Sequence, residues 1–345
     1  MEKEYKYKYI TTPRLTTAYI EAGQADKPKL LLLHGNFSSA VFYEGLMARL
    51  EEKYYMIAPD FRCFGKSSAL PVDATEGLRV FTEDLDEFVR AIGWDKFSLC
   101  GWSMGGGIAM QYVIDHCEKV EKLILQAPLS PYGFGGTYDI DGKKVEPLGI
   151  GSGAGTANQE LLKAIQEKDR AIPGQVIDAV YVAAGNKLPA DRREKYIDSL
   201  LMCSVGEDMC QGNFVPDSNW PFVRSGDKGV GNTMSPQYCD LSSLPEIPVK
   251  PPVMWIRGDK DIMVSDNSSC DLAVLGRMGI IPGYPGENVF PSQPMVSQTR
   301  HVLEMYKAQG GKYEEVVFAE SGHGCMLDHE EEFAQTVDEF ISGMN

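Results

Sequence analysis

Apolar residues in the first 130 positions fall into alternating blocks of two kinds. Short unbroken runs, KLLLLHG at 29–35 and YYMIAPD at 54–60, end in turn residues, as strands buried on both faces do. Between them FYEGLMARLEEK predicts a helix, and EGLRVFTEDLDEFVRAIG at 76–93 spaces Leu78, Phe81, Leu85, Phe88 and Ile92 by three or four, the mark of an amphipathic helix. The strand KFSLCG, a helix from Met104 to about Cys117 and the strand VEKLILQAPL at 120–129 follow. Repeated strand–helix–strand units predict an α/β protein, a mostly parallel β-sheet flanked by helices.

From Pro131 to about Pro252 the pattern fails. Glycine-rich stretches (YGFGG, GIGSGAG) alternate with three short helix candidates, NQELLKAIQE, GQVIDAVYVAA and DRREKYIDSLLMC, and no clear strand returns until VMWIRGD at 253–259. Residues 131–252 are therefore expected to form an inserted, mainly helical cap, with 1–130 and 253–345 making the core. Alternation resumes with a helix near SQTRHVLEMYKAQ, the strand YEEVVFAE at 313–320 and a last helix carrying Phe333, Val337, Phe340 and Ile341 on one face. Glu330 to Glu332 at its start suit the helix dipole. Residues 262–294 are too many for an ordinary connection and carry Leu272, Val274, Leu275, Ile280, Ile281, Tyr284 and Phe290. They are expected to fold back against the cap as one wall of a pocket.

Composition narrows the partners. The chain is 43% hydrophobic and 24% charged, as soluble globular proteins are, and its net charge of −16 without a basic run argues against nucleic acid or an anionic membrane surface. No apolar run is long enough to span a membrane, and MEKEYKYKYI lacks the apolar stretch of a signal peptide, so a cytoplasmic location is expected. The eight cysteines include no C-x-x-C pair and read as free thiols. Cys203 and Cys210 lie close together, but no second ligand pair supports a metal, and none is expected. GIGSGA at 149–154 fits a dinucleotide-binding spacing, yet no strand precedes it. It is read as a flexible loop, and no organic cofactor is expected.

The chemistry centres on Gly101-Trp102-Ser103-Met104-Gly105, where a strand runs into a helix. That context turns G-x-S-x-G into a nucleophile elbow, a sharp turn that lifts a serine hydroxyl clear of the sheet. A serine needs a base, and the base needs an orienting group. Of the five histidines, His34, His116, His301 and His329 sit where packing or surface roles are expected. His323, between two glycines after the last strand, is free to reach over the sheet edge. The acid comes from GDKDIMV, where Asp259 and Asp261 both follow a strand and both suit the order Ser, Asp, His; Asp261 is the better match by spacing.

With these residues in place, the chain resembles the α/β-hydrolase fold family. LLLLHGNFSS, APDFRCFGKSS, GWSMGG, GDKDIMV and SGHG occur in that family's order across about residues 25–130 and 250–345. The resemblance implies a Ser103–His323–Asp261 triad working through an acyl-enzyme. It also implies an oxyanion hole made by the N–H of Met104 with that of Asn36, Phe37 being next in line, and it makes Trp102 a substrate-facing residue. Cys63 stands where relatives usually have glycine. The HGN start is similar to that of the family's haloalkane dehalogenases, but those carry aspartate at the elbow, and Ser103 disfavours that route.

The expected function is hydrolysis of an ester-type bond in a small or medium, uncharged, fairly apolar acyl substrate. Tyr132, Phe134, Tyr181, Phe214, Trp220 and Phe222 of the cap are candidates for the pocket wall. Alternatives on the same triad are an aminopeptidase, for which Glu207, Asp208 or Asp217 would have to face the site, and a carbon–carbon bond hydrolase. From another class comes a ligand-binding receptor with little turnover. The sequence leaves the oligomeric state open.

Overall fold

The structure, a computed structural model, describes residues 4–343. One sheet holds eight strands: β1 (Lys8–Thr11), β2 (Thr16–Ala22), β3 (Lys29–Leu33), β4 (Tyr55–Pro59), β5 (Phe97–Trp102), β6 (Val120–Gln126), β7 (Val253–Gly258) and β8 (Tyr313–Phe318). Their order across the sheet is β1-β2-β4-β3-β5-β6-β7-β8. From β4 to β8 the neighbours run parallel, while β1 and β2 pair antiparallel at one edge. The main helices are α1 (Glu44–Leu50), α2 (Arg79–Ala91), α3 (Met104–His116), α4 (Gln159–Glu167), α5 (Ala171–Val176), α6 (Ala190–Leu201), α7 (Leu272–Arg277), α8 (Met295–Ala308) and α9 (Glu330–Ser342).

Pleating sends successive side chains to opposite faces, and the unbroken apolar runs feed two layers. Leu31, Leu33 and Leu99 join an apolar cluster with Phe81 and Phe88 of α2, Ile108 and Tyr112 of α3, and Val302 and Tyr306 of α8. Leu30, Leu32, Cys100 and Trp102 join a second with Leu46 and Met47 of α1 and Phe333 and Val337 of α9. Each fully buried side chain of this kind contributes about 1.5–3 kcal/mol. The predicted parallel sheet with helices on both faces is what the chain builds. Strands β1 and β2 were not expected. Lys8–Thr11 is almost wholly exposed and carries no apolar alternation, as suits a short edge strand kept soluble by its charge.

Between β6 and β7 the chain leaves the sheet and contributes no strand to it. It forms α4, α5 and α6, and a wide π-type turn at Ile177–Tyr181 continues α5. It also forms three miniature ladders: Thr137–Tyr138 with Lys143–Lys144, Val205–Gly206 with Cys210–Gln211, and Phe214–Pro216 with Val223–Ser225. Those two- and three-residue strands correct the strand-free expectation; they are too short to show a period of two. The insertion has no wholly separate core, since Leu161, Ile165, Cys203 and Leu244 pack in the same cluster as α2 and α3.

Candidate active site

Ser103 sits between β5 and α3 with φ 59° and ψ −121°, a strained backbone for a residue with a side chain. The flanking glycines are there for space. A Cβ on Gly101 would lie 2.2 Å from the Gly105 carbonyl oxygen, and one on Gly105 would lie 2.3 Å and 2.4 Å from the carbonyl oxygens of Leu33 and His34. The turn is held by Ser103 N–H donating to Gln126 O at 3.0 Å and by Leu129 N–H donating to Ser103 O at 2.9 Å. Ser103 thereby stands at the N-terminus of α3, where free N–H groups and the helix dipole favour negative charge.

His323 and Asp261 meet beside it. Nδ1–H of His323 donates to Asp261 Oδ2 at 2.9 Å, and both side chains are buried. Asp261 Oδ1 accepts the amides of Met263 at 2.8 Å and Val264 at 2.9 Å, so the carboxylate is fixed at both oxygens. With Nδ1 protonated, Nε2 of His323 is an acceptor; it is buried and has no hydrogen-bond partner. His323 and Ser103 line the same cavity. Asp259 is exposed on the turn after β7, with Lys260 as its ion-pair neighbour. Of the two aspartates, only Asp261 reaches the imidazole. Trp102 also borders the cavity, but its indole N–H donates to the His323 carbonyl at 2.9 Å, which makes it a support for the histidine as well as a wall.

The turn after β3 comes against the elbow: a Cβ on Gly35 would lie 3.0 Å from Ser103 Cβ. Gly35 O accepts from Ser38 Oγ at 2.7 Å and from His34 Nδ1 at 2.8 Å. Because a trans peptide points its C=O and N–H in opposite directions, the Asn36 N–H is turned away from His34 and Ser38. Phe37, at φ 49°, donates its N–H to Asn36 Oδ1 at 3.0 Å. Of the two amides suggested on this turn, Phe37's is therefore occupied. His34 itself is buried, accepts the Phe61 amide at Nε2, and has its pKa pushed down to about 4 by burial, which makes it a neutral structural residue as expected.

The cavity above Ser103 has a volume of about 500 Å³ and is lined by no Asp, Glu, Lys or Arg side chain. The insertion supplies Phe134, Leu161, Val176, Val180, Tyr181 and Met234, and the segment after Asp261 supplies Met263, Leu272, Leu275 and Ile281. The other aromatics expected from residues 131–252 lie elsewhere. Tyr132 is in the main core, Phe214 and Phe222 are 54% and 56% exposed, and Trp220 packs on Phe290 and Tyr284. Glu207, Asp208 and Asp217 do not border the cavity. Gln211 does, and sequence reasoning missed it: nothing in its neighbourhood signals that a short insertion strand returns to the elbow. GIGSGA at 149–154 has no strand before it, yet it is packed rather than flexible, with Ile150 and Ser152 buried and Gly151 N–H bonded to Val223 O. Cys63 takes the left-handed φ of 69° that a glycine would adopt there, and its thiol donates to Leu70 O at 3.2 Å. All eight cysteines are free, and among the described residues no group of His, Cys, Asp and Glu could hold a metal ion. No helix among them is long and apolar enough to cross a membrane.

Sheet order, elbow and histidine loop together define an α/β protein of the kind that presents a serine at the carboxyl edge of a parallel sheet. The chain has the α/β-hydrolase fold: the sequence pattern described as alpha/beta hydrolase fold matches residues 28–146. It is 32% identical over 103 residues to the human serine hydrolase-like protein, a match spanning 30% of this chain and 51% of that one. It is 29% identical over 128 residues to 2-hydroxy-6-oxo-6-(2'-aminophenyl)hexa-2,4-dienoic acid hydrolase of Metapseudomonas resinovorans, spanning 36% and 43%. The matches thus cover about half or less of these relatives' own length. Among solved structures, a carboxylesterase of Bacillus subtilis superposes with a TM-score of 0.60 at 16% identity over 99% of this chain and 93% of that one, a likeness of fold.

Proposed function

We propose that the protein is a serine hydrolase that cleaves an ester-type bond of an uncharged, fairly apolar acyl substrate of small or medium size. The observation that carries this reading is the buried Asp261–His323 pair beside Ser103 at the wall of a cavity without formal charge. Ser103 Oγ attacks the acyl carbon as its proton passes to His323 Nε2, and Asp261 holds the imidazole and stabilises the imidazolium. The Met104 and Asn36 amides receive the developing oxyanion. His323 then protonates the leaving group, the acyl-enzyme forms, and water activated by His323 releases the acid. Nε2 is not bonded to Ser103 in this structure; in unliganded sites that hydrogen bond is often made only with substrate in place. The cap role of residues 131–252 belongs to the same reading, since they supply a large part of the apolar wall.

The lining also bears on the alternatives. An aminopeptidase needs a carboxylate for the substrate's ammonium, and the wall carries none. The dienoic acid in the name of the Metapseudomonas relative carries a carboxylate, and this cavity offers no Lys or Arg to meet one. Fluorophosphonate labelling of Ser103, with p-nitrophenyl esters of graded chain length set against aminoacyl anilides, tests the reading. Labelled Ser103 and ester turnover are expected; an unlabelled, inactive protein overturns it in favour of a receptor.

A further inference from the structure

We propose that Tyr181 and Gln211, two residues of the insertion, are positioning residues that hold the oxyanion turn in register with Ser103; this rests on the hydrolase reading above. The Asn36–Phe37 peptide is pinned at both of its polar ends. The Tyr181 hydroxyl donates to Asn36 O at 2.9 Å and approaches Phe37 O at 3.3 Å. At the other end the Phe37 N–H is bonded to Asn36 Oδ1, and that oxygen also accepts Gln211 Nε2 at 3.1 Å. The turn needs such restraint. Phe37 has a left-handed backbone, φ 49°, a conformation that residues with a Cβ rarely adopt. An oxyanion donor is effective only when aimed within a few tenths of an ångström.

Tyr181 also reaches the other half of the site. Its carbonyl accepts the Gly324 N–H at 2.7 Å, one residue past His323. Its ring packs edge-on against Trp102, with centroids 5.1 Å apart, and 6.2 Å from the imidazole of His323. Two residues on, Ala183 N–H donates to Asp328 at 3.1 Å, which ties the same segment to the turn behind the histidine loop. One residue from outside the sheet therefore links the oxyanion turn, through its hydroxyl, to the histidine loop, through its carbonyl. Burial holds the phenol well above its ordinary pKa, so it stays a donor. The π-type turn ending at Tyr181 fits this role, since wide turns of that kind recur at functional sites.

The variants Tyr181→Phe and Gln211→Leu test it. Tyr181→Phe keeps the ring and removes only the hydroxyl. Each variant should lower kcat on a good p-nitrophenyl ester about tenfold or more with KM within about twofold, and the double variant should lose less than the product of the two, since both act on one peptide. A trifluoromethyl ketone of matched chain length supplies the readout that a merely structural role would not move. Ser103 Oγ adds to its carbonyl carbon, the C=O electron pair becomes the alkoxide, and the serine proton passes to His323. Affinity for it should fall by the same factor as kcat, while affinity for the corresponding methyl ketone stays unchanged. Unaltered kcat, or equal losses for both ketones tracking a lower melting temperature, would overturn the proposal. Wild-type protein that neither turns over esters nor labels at Ser103 overturns the hydrolase reading and the clamp together. A labelled, active wild type with unaffected variants overturns the clamp alone.

Discussion

Asp261 grips His323 with one oxygen and its own backbone with the other: Oδ2 is 2.9 Å from Nδ1 of His323, while Oδ1 takes the amides two and three residues further on. The carboxylate has no freedom to turn. It imposes on the imidazole the tautomer that leaves Nε2 bare toward the cavity.

Asp261→Asn should therefore cost far more than the loss of one hydrogen bond. An asparagine side chain in that grip can offer its amide to Nδ1, which selects the wrong tautomer. Turnover should fall by about 10⁴. Asp259→Asn, on the exposed turn, should leave turnover within about twofold. Steady-state kinetics on a p-nitrophenyl ester checks both, and the reverse pattern would move the proposed orienting role to Asp259.

What the sequence could and could not reveal follows from the range of the interactions. The tight turn at Ser103 and the parallel sheet were legible because each is written in a few adjacent residues: glycines where a Cβ would clash, apolar runs buried on both faces. The preference for Asp261 over Asp259 followed from spacing, since both suit the same order along the chain. Tyr181 and Gln211 meet Asn36 across 145 and 175 residues, and no local pattern encodes such a meeting. Strand β1, exposed on an edge, lacks the alternation that burial imposes, and α7, with six residues, is shorter than two helical turns.

A second prediction concerns pH and His34. Its pKa is lowered by burial from 6.5 to about 4, so the unfolded chain takes up a proton that the folded chain resists. The contribution is present above pH 6.5 and is lost as pH falls through 4, amounting to about 3 kcal/mol. Asp60, next to the Phe61 amide that His34 accepts, works the other way. Burial raises its pKa from 3.8 to about 6, so its contribution is present below 3.8 and is lost as pH rises through 6. In the wild type the two offset each other between pH 4 and 6.5. In His34→Asn only the Asp60 effect remains, so the stability gap between variant and wild type should shrink by up to about 3 kcal/mol from pH 7 to pH 4. Urea unfolding at both pH values measures it, and a gap independent of pH would show that His34 does not resist protonation.

The last prediction concerns the wall built after Asp261. Of the apolar residues between 262 and 294, Leu272, Leu275 and Ile281 border the cavity. Val274 and Phe290 are buried, with Phe290 and Tyr284 packed on Trp220 of the insertion, and Ile280 is 61% exposed. The segment is thus backed by the insertion and turns one edge of α7 to the cavity. In a cavity of about 500 Å³ an added indole takes a meaningful share of the space. Leu275→Trp should leave kcat/KM for an acetyl ester within about twofold and lower it for an octanoyl ester at least tenfold, about 1.4 kcal/mol of transition-state binding. Ile280→Ala, pointing to solvent, should change neither. If Leu275→Trp lowers both esters equally, in step with a lower melting temperature, residue 275 contributes packing and does not shape the acyl site.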